Sequence, residues 1–250
     1  MRLENKRIVL TGAASGIGYA LAEDLARLPV RLLLVDRDPL DLSGLKNVKA
    51  EIFCFTGDMG DPAEVDQLFA DAVQQMGGID LFIANAGFAY YERINQSDWH
   101  HMETIFKVNV LSPLYAVTKM RELNSANPYR VVITASAMAH MAIPGYAYYA
   151  ATKAALHRFA DAYRLELPAH GGLTLVYPVA TRTNFFRTGS PIPYPSQSPR
   201  FVARRILSGI RRDANAVYPA TQFWLSLPLI RLVPLAGRLY QRFYARYLPK

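Results

Sequence analysis

Tyr149 and Lys153 stand four residues apart in the run Tyr149-Ala150-Ala151-Thr152-Lys153. On a helix, positions i and i+4 share a face, so a phenol and an ammonium would point the same way. A free phenol, with a pKa of about 10, is a poor proton carrier at pH 7; a cation beside it favours the phenolate and lowers that pKa. Such a pair can pass a proton to or from a carbonyl/alcohol couple. The spacing alone is cheap, because the chain holds 15 tyrosines. Tyr146 and Tyr148 compete for the role, but five residues lie about 140° apart around a helix, and seven is not the i,i+4 spacing either. Ser136 lies 13 residues before Tyr149, in Thr134-Ala135-Ser136, at the end of an apolar run that reads as a strand. Ligands of parallel sheets sit beyond the carboxyl ends of the strands, so a hydroxyl there is placed to hydrogen-bond a substrate oxygen.

A second constellation lies near the N-terminus. An apolar strand runs into Thr11-Gly12-Ala13-Ala14-Ser15-Gly16-Ile17-Gly18, and a helical pattern follows. Glycine lets backbone approach a pyrophosphate, and the helix N-terminus offers free N–H groups and a partial positive charge. The acid expected of a dinucleotide site is Asp36, 18 residues past Gly18 at the end of the second strand. A carboxylate there accepts ribose hydroxyls and repels a 2′-phosphate, which favours NAD. Arg37 beside it is the group that would accept NADP if the carboxylate moved away.

The elements that must position these residues alternate. Strands are predicted over residues 7–11, 31–36, 50–56, 81–84, 130–134 and 173–177, and helices over 16–28, 61–76, 97–121 and 148–167. The 97–121 stretch reads as two pieces with Pro113 as a kink. Repeated β–α alternation with continuously apolar strands predicts an α/β fold: a doubly wound parallel sheet with helices on both faces. Its 250 residues, 51% hydrophobic and 19% charged, fit one large buried core rather than a disordered chain. One cysteine, Cys54, excludes an intrachain disulfide and a cysteine-built zinc site. It falls in a buried-looking strand and reads as a small hydrophobe. Trp99 reads as packing. His100, His101, His140, His157 and His170 form no metal-ligand pattern, so no metal is expected.

Taken together these residues resemble the short-chain dehydrogenase/reductase family over residues 7–183. The motifs are Thr11-Gly12-xxx-Gly16-x-Gly18, Asp36, Gly57-Asp58-Met59, Asn85-Ala86-Gly87, Asn109, Ser136, Tyr149-xxx-Lys153 and Pro178…Thr183. The resemblance implies a Rossmann-type fold and hydride transfer with a nicotinamide cofactor. It further implies that Asp58 and Met59 hold the adenine, and that Asn85, Ala86 and Gly87 line the cofactor groove. Asn109 would bind a water in a proton relay through Lys153, Ser136 would polarise the substrate oxygen, and Tyr149 would pass the proton. Lys153 would also bind the nicotinamide ribose, and Thr183 the carboxamide. A homo-oligomer is implied in the same way. The chain departs from the family pattern at Ala84, often Asn there, and at Val179, usually Gly after Pro178; a β-branched residue at 179 narrows the backbone options beside the nicotinamide ring.

The remainder divides the chain into a catalytic body over 1–184, a substrate loop and helical segment over 185–212, and a basic, aromatic extension over 213–250. The loop carries Phe185, Phe186, Ile192 and Tyr194 with Arg187, an apolar lid that fits a lipophilic alcohol or carbonyl compound. From Arg200 onward there are ten basic residues and one acid, Asp213, whereas the whole chain is +8. Arg238, Arg242 and Arg246 fall on one helical face, beside Leu239, Tyr240, Phe243, Tyr244 and Tyr247. A basic stripe next to an aromatic face fits peripheral contact with an anionic membrane; a subunit interface or packing on the body is the other reading. Nucleic acid is not expected, because residues 1–199 are near neutral and no reading motif is present. A strand starting at residue 7 leaves no room for a signal peptide, and the longest uncharged run of the extension, 214–230, is interrupted by Pro219 and Pro228. The expectation is a cytoplasmic enzyme, held at the inner face of a membrane if the extension binds one. The rival is a catalytically silent cofactor-binding sensor or scaffold at a membrane surface.

Overall fold

A computed structural model describes residues 1–183, 196–232 and 234–246. Seven strands among them form one parallel sheet in the order β3-β2-β1-β4-β5-β6-β7. They are β1 (Arg7–Thr11), β2 (Arg31–Asp36), β3 (Glu51–Thr56), β4 (Leu81–Ala84), β5 (Tyr129–Thr134), β6 (Gly171–Val176) and β7 (Ala216–Val217). The helices are α1 (Gly16–Ala26), α2 (Pro62–Met76), α3 (Trp99–Phe106), α4 (Ser112–Leu123), α5 (Ala147–Tyr163), α6 (Pro199–Arg211), α7 (Thr221–Leu232) and α8 (Pro234–Ala245). The doubly wound parallel fold read from the alternation is therefore present. Strand order reverses at β1, which pairs with β2 on one side and β4 on the other. The loops after β1 and β4 diverge there and open a crevice at the carboxyl edge of the sheet.

The apolar runs are continuous because both faces of the sheet are covered. Along β1, Val9 points into one core with Leu33, Phe69, Val117 and Leu156, while Ile8 and Leu10 point into the other with Leu21, Leu32 and Ile206. All three β1 side chains are fully buried, each contributing about 1.5–3 kcal/mol by removal from water. The start of α2 follows its sequence signals: Asp61 accepts a hydrogen bond from the Ala63 N–H and Pro62 opens the first turn. The far end closes on Gly77 in the left-handed region.

Four expectations are corrected. The break in the 97–121 stretch is a five-residue π-turn, Lys107–Leu111, which ends upstream of Pro113. Proline has no N–H to bond the carbonyl of Asn109 and its ring crowds that carbonyl, so the chain widens before it and the Ser112 N–H reaches back to the Lys107 carbonyl. A seventh strand, β7, has only two residues and gave no pattern to read. Cys54 is exposed: β3 is the edge strand, and the link from β2 contains no helix to cover that side. Trp99 is not packed but 76% exposed at the start of α3.

Candidate active site

The phosphate turn is held by backbone geometry. Gly12 has φ +70°, and a β-carbon on it would press on the Ala86 backbone. A β-carbon on Gly18 would land inside the Gly12 carbonyl, so the first turn of α1 can lie this close to β1 only with glycine. Ser15, directly before α1, makes no side-chain cap, which leaves the first N–H groups of the helix facing the crevice. Asn85 ties the turn to the rest of the sheet. Its amide donates to the Thr11 and Gly12 carbonyls, and its side-chain oxygen accepts from the Thr134 hydroxyl at 3.1 Å. Thr11 supports the same junction, its hydroxyl oxygen accepting the N–H groups of Asn85 and Ala86 at 3.1 and 3.0 Å.

Asp36 sits at the end of β2 as predicted, but its carboxylate is engaged. One oxygen accepts the Ala14 N–H at 2.8 Å and the other the Asp38 N–H at 3.2 Å. Arg37 and Asp38 follow on the rim, and Asp58 and Met59 close the other side. These groups line one end of a single cavity of 1040 Å³ that continues past Ser136 to α7. Gly12, Ser15, Gly16, Ile17, Asn85, Ala86 and Gly87 line it, as do Pro178 and Thr183; Gly18 lies behind the turn. The turn with no β-carbon at Gly12 or Gly16, the free helix N-terminus and the carboxylate at 36 fit a dinucleotide laid across the carboxyl edge of the sheet.

At the middle of the cavity α5 presents Tyr149 and Lys153, both buried. Ser136 caps the short turn Ala137–Ala139, its oxygen accepting the Met138 N–H at 3.1 Å, and it also hydrogen-bonds the Tyr149 phenol. The Lys153 ammonium does not rest against the phenolic oxygen. It donates to the Thr134 carbonyl at 2.8 Å and lies 5.5 Å from the centre of the Tyr149 ring. The expected lowering of the phenol pKa is accordingly reversed. Burial pushes Tyr149 up to about 12, with the Ser136 bond pulling the other way, and burial brings Lys153 down to about 7. At neutral pH the phenol holds its proton, the state needed to donate to a carbonyl oxygen.

Asn109 is buried in the π-turn. Its side-chain oxygen accepts the Phe88 N–H at 3.0 Å, while its amide donates to the Phe88 carbonyl and the Thr152 hydroxyl. The π-turn thus brings an amide across to the loop after β4 and to α5 at once. Thr152, fully buried and also bonded to the Tyr149 carbonyl, escaped the sequence reading. A signal was present, since a β-branched hydroxyl residue inside a helix next to Lys153 needs a partner for its oxygen.

Beyond Tyr149 the lining changes character. Phe88, Tyr90, Met138, Ile143, Tyr146 and Phe223 enclose this end, and no described side chain here carries a charge. Tyr90 is held by stacking on His101 at 3.6 Å between ring centres. None of the six was identified from sequence. Phe185, Phe186, Ile192 and Tyr194, with Arg187, the residues of the expected apolar lid, lie outside the described residues, as does Tyr247. Among the described residues no cluster of His, Cys, Asp and Glu could hold a metal ion.

A parallel sheet with a glycine turn at its switch point and a Ser–Tyr–Lys set at its carboxyl edge fits a dinucleotide-dependent oxidoreductase scaffold. Residues 6–190 match the family model described as short chain dehydrogenase, and the chain belongs to the short-chain dehydrogenase/reductase family. It is 30% identical over 257 residues to the "Uncharacterized oxidoreductase YbbO" of Escherichia coli, covering 93% of this chain and 92% of that one. It is 24% identical over 236 residues to "Estradiol 17-beta-dehydrogenase 11" of Macaca fascicularis, covering 91% and 79%. Among solved structures, a short chain dehydrogenase/reductase from Burkholderia phymatum in complex with NAD superposes with a TM-score of 0.81 at 22% identity, over 94% of this chain and 96% of that one.

Proposed function

We propose that the protein transfers a hydride between NAD and a neutral, lipophilic alcohol/carbonyl pair, with Tyr149 as the proton-transferring group. The nicotinamide, when bound, supplies or accepts the hydride. The carrying observation is that Ser136, Tyr149 and Lys153 meet at the seam between a charged half of the cavity and an uncharged aromatic half. Ser136 offers a hydroxyl to the substrate oxygen, and the protonated phenol beside it donates to that oxygen in reduction. Lys153 reaches the Thr134 carbonyl, on the side where the cofactor ribose would lie. Asn109 fixes the loop after β4 against α5, which keeps Tyr149 and Phe88 in register across the cavity.

The preference for NAD rests on Asp36. Its two oxygens are each tied to a backbone N–H, so turning the carboxylate away to admit a 2′-phosphate would break two hydrogen bonds of about 1.5–3 kcal/mol each. The substrate class rests on the aromatic half, where a charged ligand would lose its hydration without a partner. One relative is named for estradiol, an apolar neutral alcohol of the class this half admits.

A panel of hydrophobic alcohols and ketones, followed by the absorbance of reduced cofactor with NAD and with NADP, tests the reading. Turnover of apolar substrates with NAD favoured is the expected result. Turnover only of charged substrates would overturn the substrate class, and silence across a broad panel would favour a non-catalytic cofactor sensor.

A further inference from the structure

We infer that α7 and α8 form a docking surface for an anionic lipid bilayer, set beside the mouth of the cavity. The described side chains of each helix fall on two faces. On α7, Phe223 and Ser226 line the cavity and Leu227 is buried, while Trp224 and Leu225 are 51% and 64% exposed. On α8, Tyr244 packs into the aromatic cluster that contains Tyr146 and Tyr149, and Gln241 donates to the Ala142 carbonyl at 3.0 Å. The other side of α8 shows Phe243, half exposed, with Arg238, Arg242 and Arg246. Among the described side chains, the body therefore uses one side of this helix pair and leaves Trp224, Leu225, Phe243 and the three arginines exposed.

The exposed side has the composition of a bilayer interface. Tryptophan is ordinarily well covered in a folded protein, yet both tryptophans of this chain are exposed, Trp224 on α7 and Trp99 at the start of α3. An indole among headgroups, with its ring toward the acyl chains and its N–H wet, is the stable placement such a residue finds. The three arginines recur every four residues, so they project together, and none makes an ion pair with a described residue. The stretch that carries them brings little opposing charge: from Arg200 to Lys250 only Asp213 is acidic, and it is bonded to Met1 and Arg130. Anionic headgroups complement that face.

A second copy of this chain is the less suitable occupant. A two-fold contact would set the arginine row against itself, at a like-charge cost. Among the described residues no helix is long and apolar enough to cross a membrane, so the contact is peripheral. Because Phe223 and Trp224 are consecutive, a bilayer on the outer face of α7 lies one helix diameter from the aromatic half of the cavity. An apolar substrate could then enter without crossing bulk water.

The test uses the full chain and does not depend on turnover, so it can fail or succeed independently of the hydride-transfer reading. Co-sedimentation with phosphatidylcholine vesicles is compared with vesicles containing phosphatidylserine, at low and high salt. Binding to the anionic vesicles alone, weakened by salt, is expected. The triple variant R238Q/R242Q/R246Q should bind them about 100-fold more weakly, at about 1 kcal/mol per arginine. In Trp99→Phe, whose mutated side chain is largely in water, Trp224 is the only indole left. Its emission should shift to the blue on anionic vesicles and be quenched by brominated acyl chains, a readout that stands even if the triple variant folds poorly. Equal binding to neutral vesicles, or unmoved Trp224 emission, overturns the proposal. So does an arginine variant that changes subunit association and leaves vesicle binding intact.

Discussion

The two halves of the cavity are built by different means. The half proposed for the nucleotide is made of backbone: a turn whose glycines cannot carry a β-carbon, a helix N-terminus, and Asp36 locked between two N–H groups. The half proposed for the substrate is made of side chains from separate segments, with Phe88 and Tyr90 after β4, Met138 and Ile143 before α5, and Phe223 on α7. A backbone site tolerates almost no change but demands few residue types. A side-chain site can be re-lined one residue at a time while the chemistry stays where it is. Between them lies a seam of Ser136, Tyr149 and Lys153, held by Asn109 and Thr152.

The sharpest cut separates the seam from the nucleotide half. Tyr149→Phe removes the proposed proton donor and keeps the ring, so kcat should fall at least ~10²-fold while the cofactor Kd stays nearly constant. Steady-state kinetics together with fluorescence titration of reduced cofactor read the two quantities separately, and unchanged turnover would remove Tyr149 from its role. Gly18→Ala should do the converse. Its methyl meets the Gly12 carbonyl, and the turn must shift to relieve it, with an expected loss of about 2–3 kcal/mol in cofactor binding or in stability. Calorimetric titration and thermal unfolding distinguish those outlets. A variant with wild-type cofactor affinity and stability would mean that the turn is not rigid.

The seam also carries a pH signature. Lys153 titrates at about 7 in the folded chain against 10.5 in the unfolded one, so below about pH 7 both states are charged and the folded state carries the full burial penalty. From there to 10.5 the unfolded chain binds more protons, so stability should rise with pH, by a few kcal/mol at about 1.4 kcal/mol per pH unit. Lys153→Met should flatten that rise, as read by urea unfolding between neutral pH and pH 10. Above pH 10 the raised phenol of Tyr149 reverses the trend, because the unfolded chain then releases its tyrosine protons first.

The same division explains what the sequence made legible. The nucleotide half and the seam could be read because glycine spacing, a strand-end acid and an i,i+4 pair are short-range patterns fixed by backbone geometry. The sheet could be read because burial on both faces makes strands uniformly apolar, except at the two-residue β7 and at β3, whose edge position leaves Cys54 in water. Helical spacing placed Tyr149 and Lys153 on one face but could not say where a long flexible ammonium would go. It goes to the Thr134 carbonyl, so burial rather than the nearby charge sets the phenol pKa. The aromatic half had no legible pattern at all, since its residues come together only when α7 closes on the loops after β4 and β5.

Phe223 offers the finest test of that last point. It lies on the cavity-facing side of α7, and its ring is 6.2 Å from that of His140, so it is backed by the body rather than free to fold away. Phe223→Ala removes apolar area from the substrate half and touches nothing in the nucleotide half. Part of one aromatic ring against a bound substrate is worth about 1–1.5 kcal/mol, so KM for the larger apolar substrates should rise roughly tenfold. Small alcohols that do not reach α7 should be unaffected, and the cofactor KM should not move. If small and large substrates suffer alike, Phe223 positions the seam instead, and the two halves are less independent than their construction implies. If only the large ones suffer, α7 is a wall of the substrate site as well as the helix that carries Trp224.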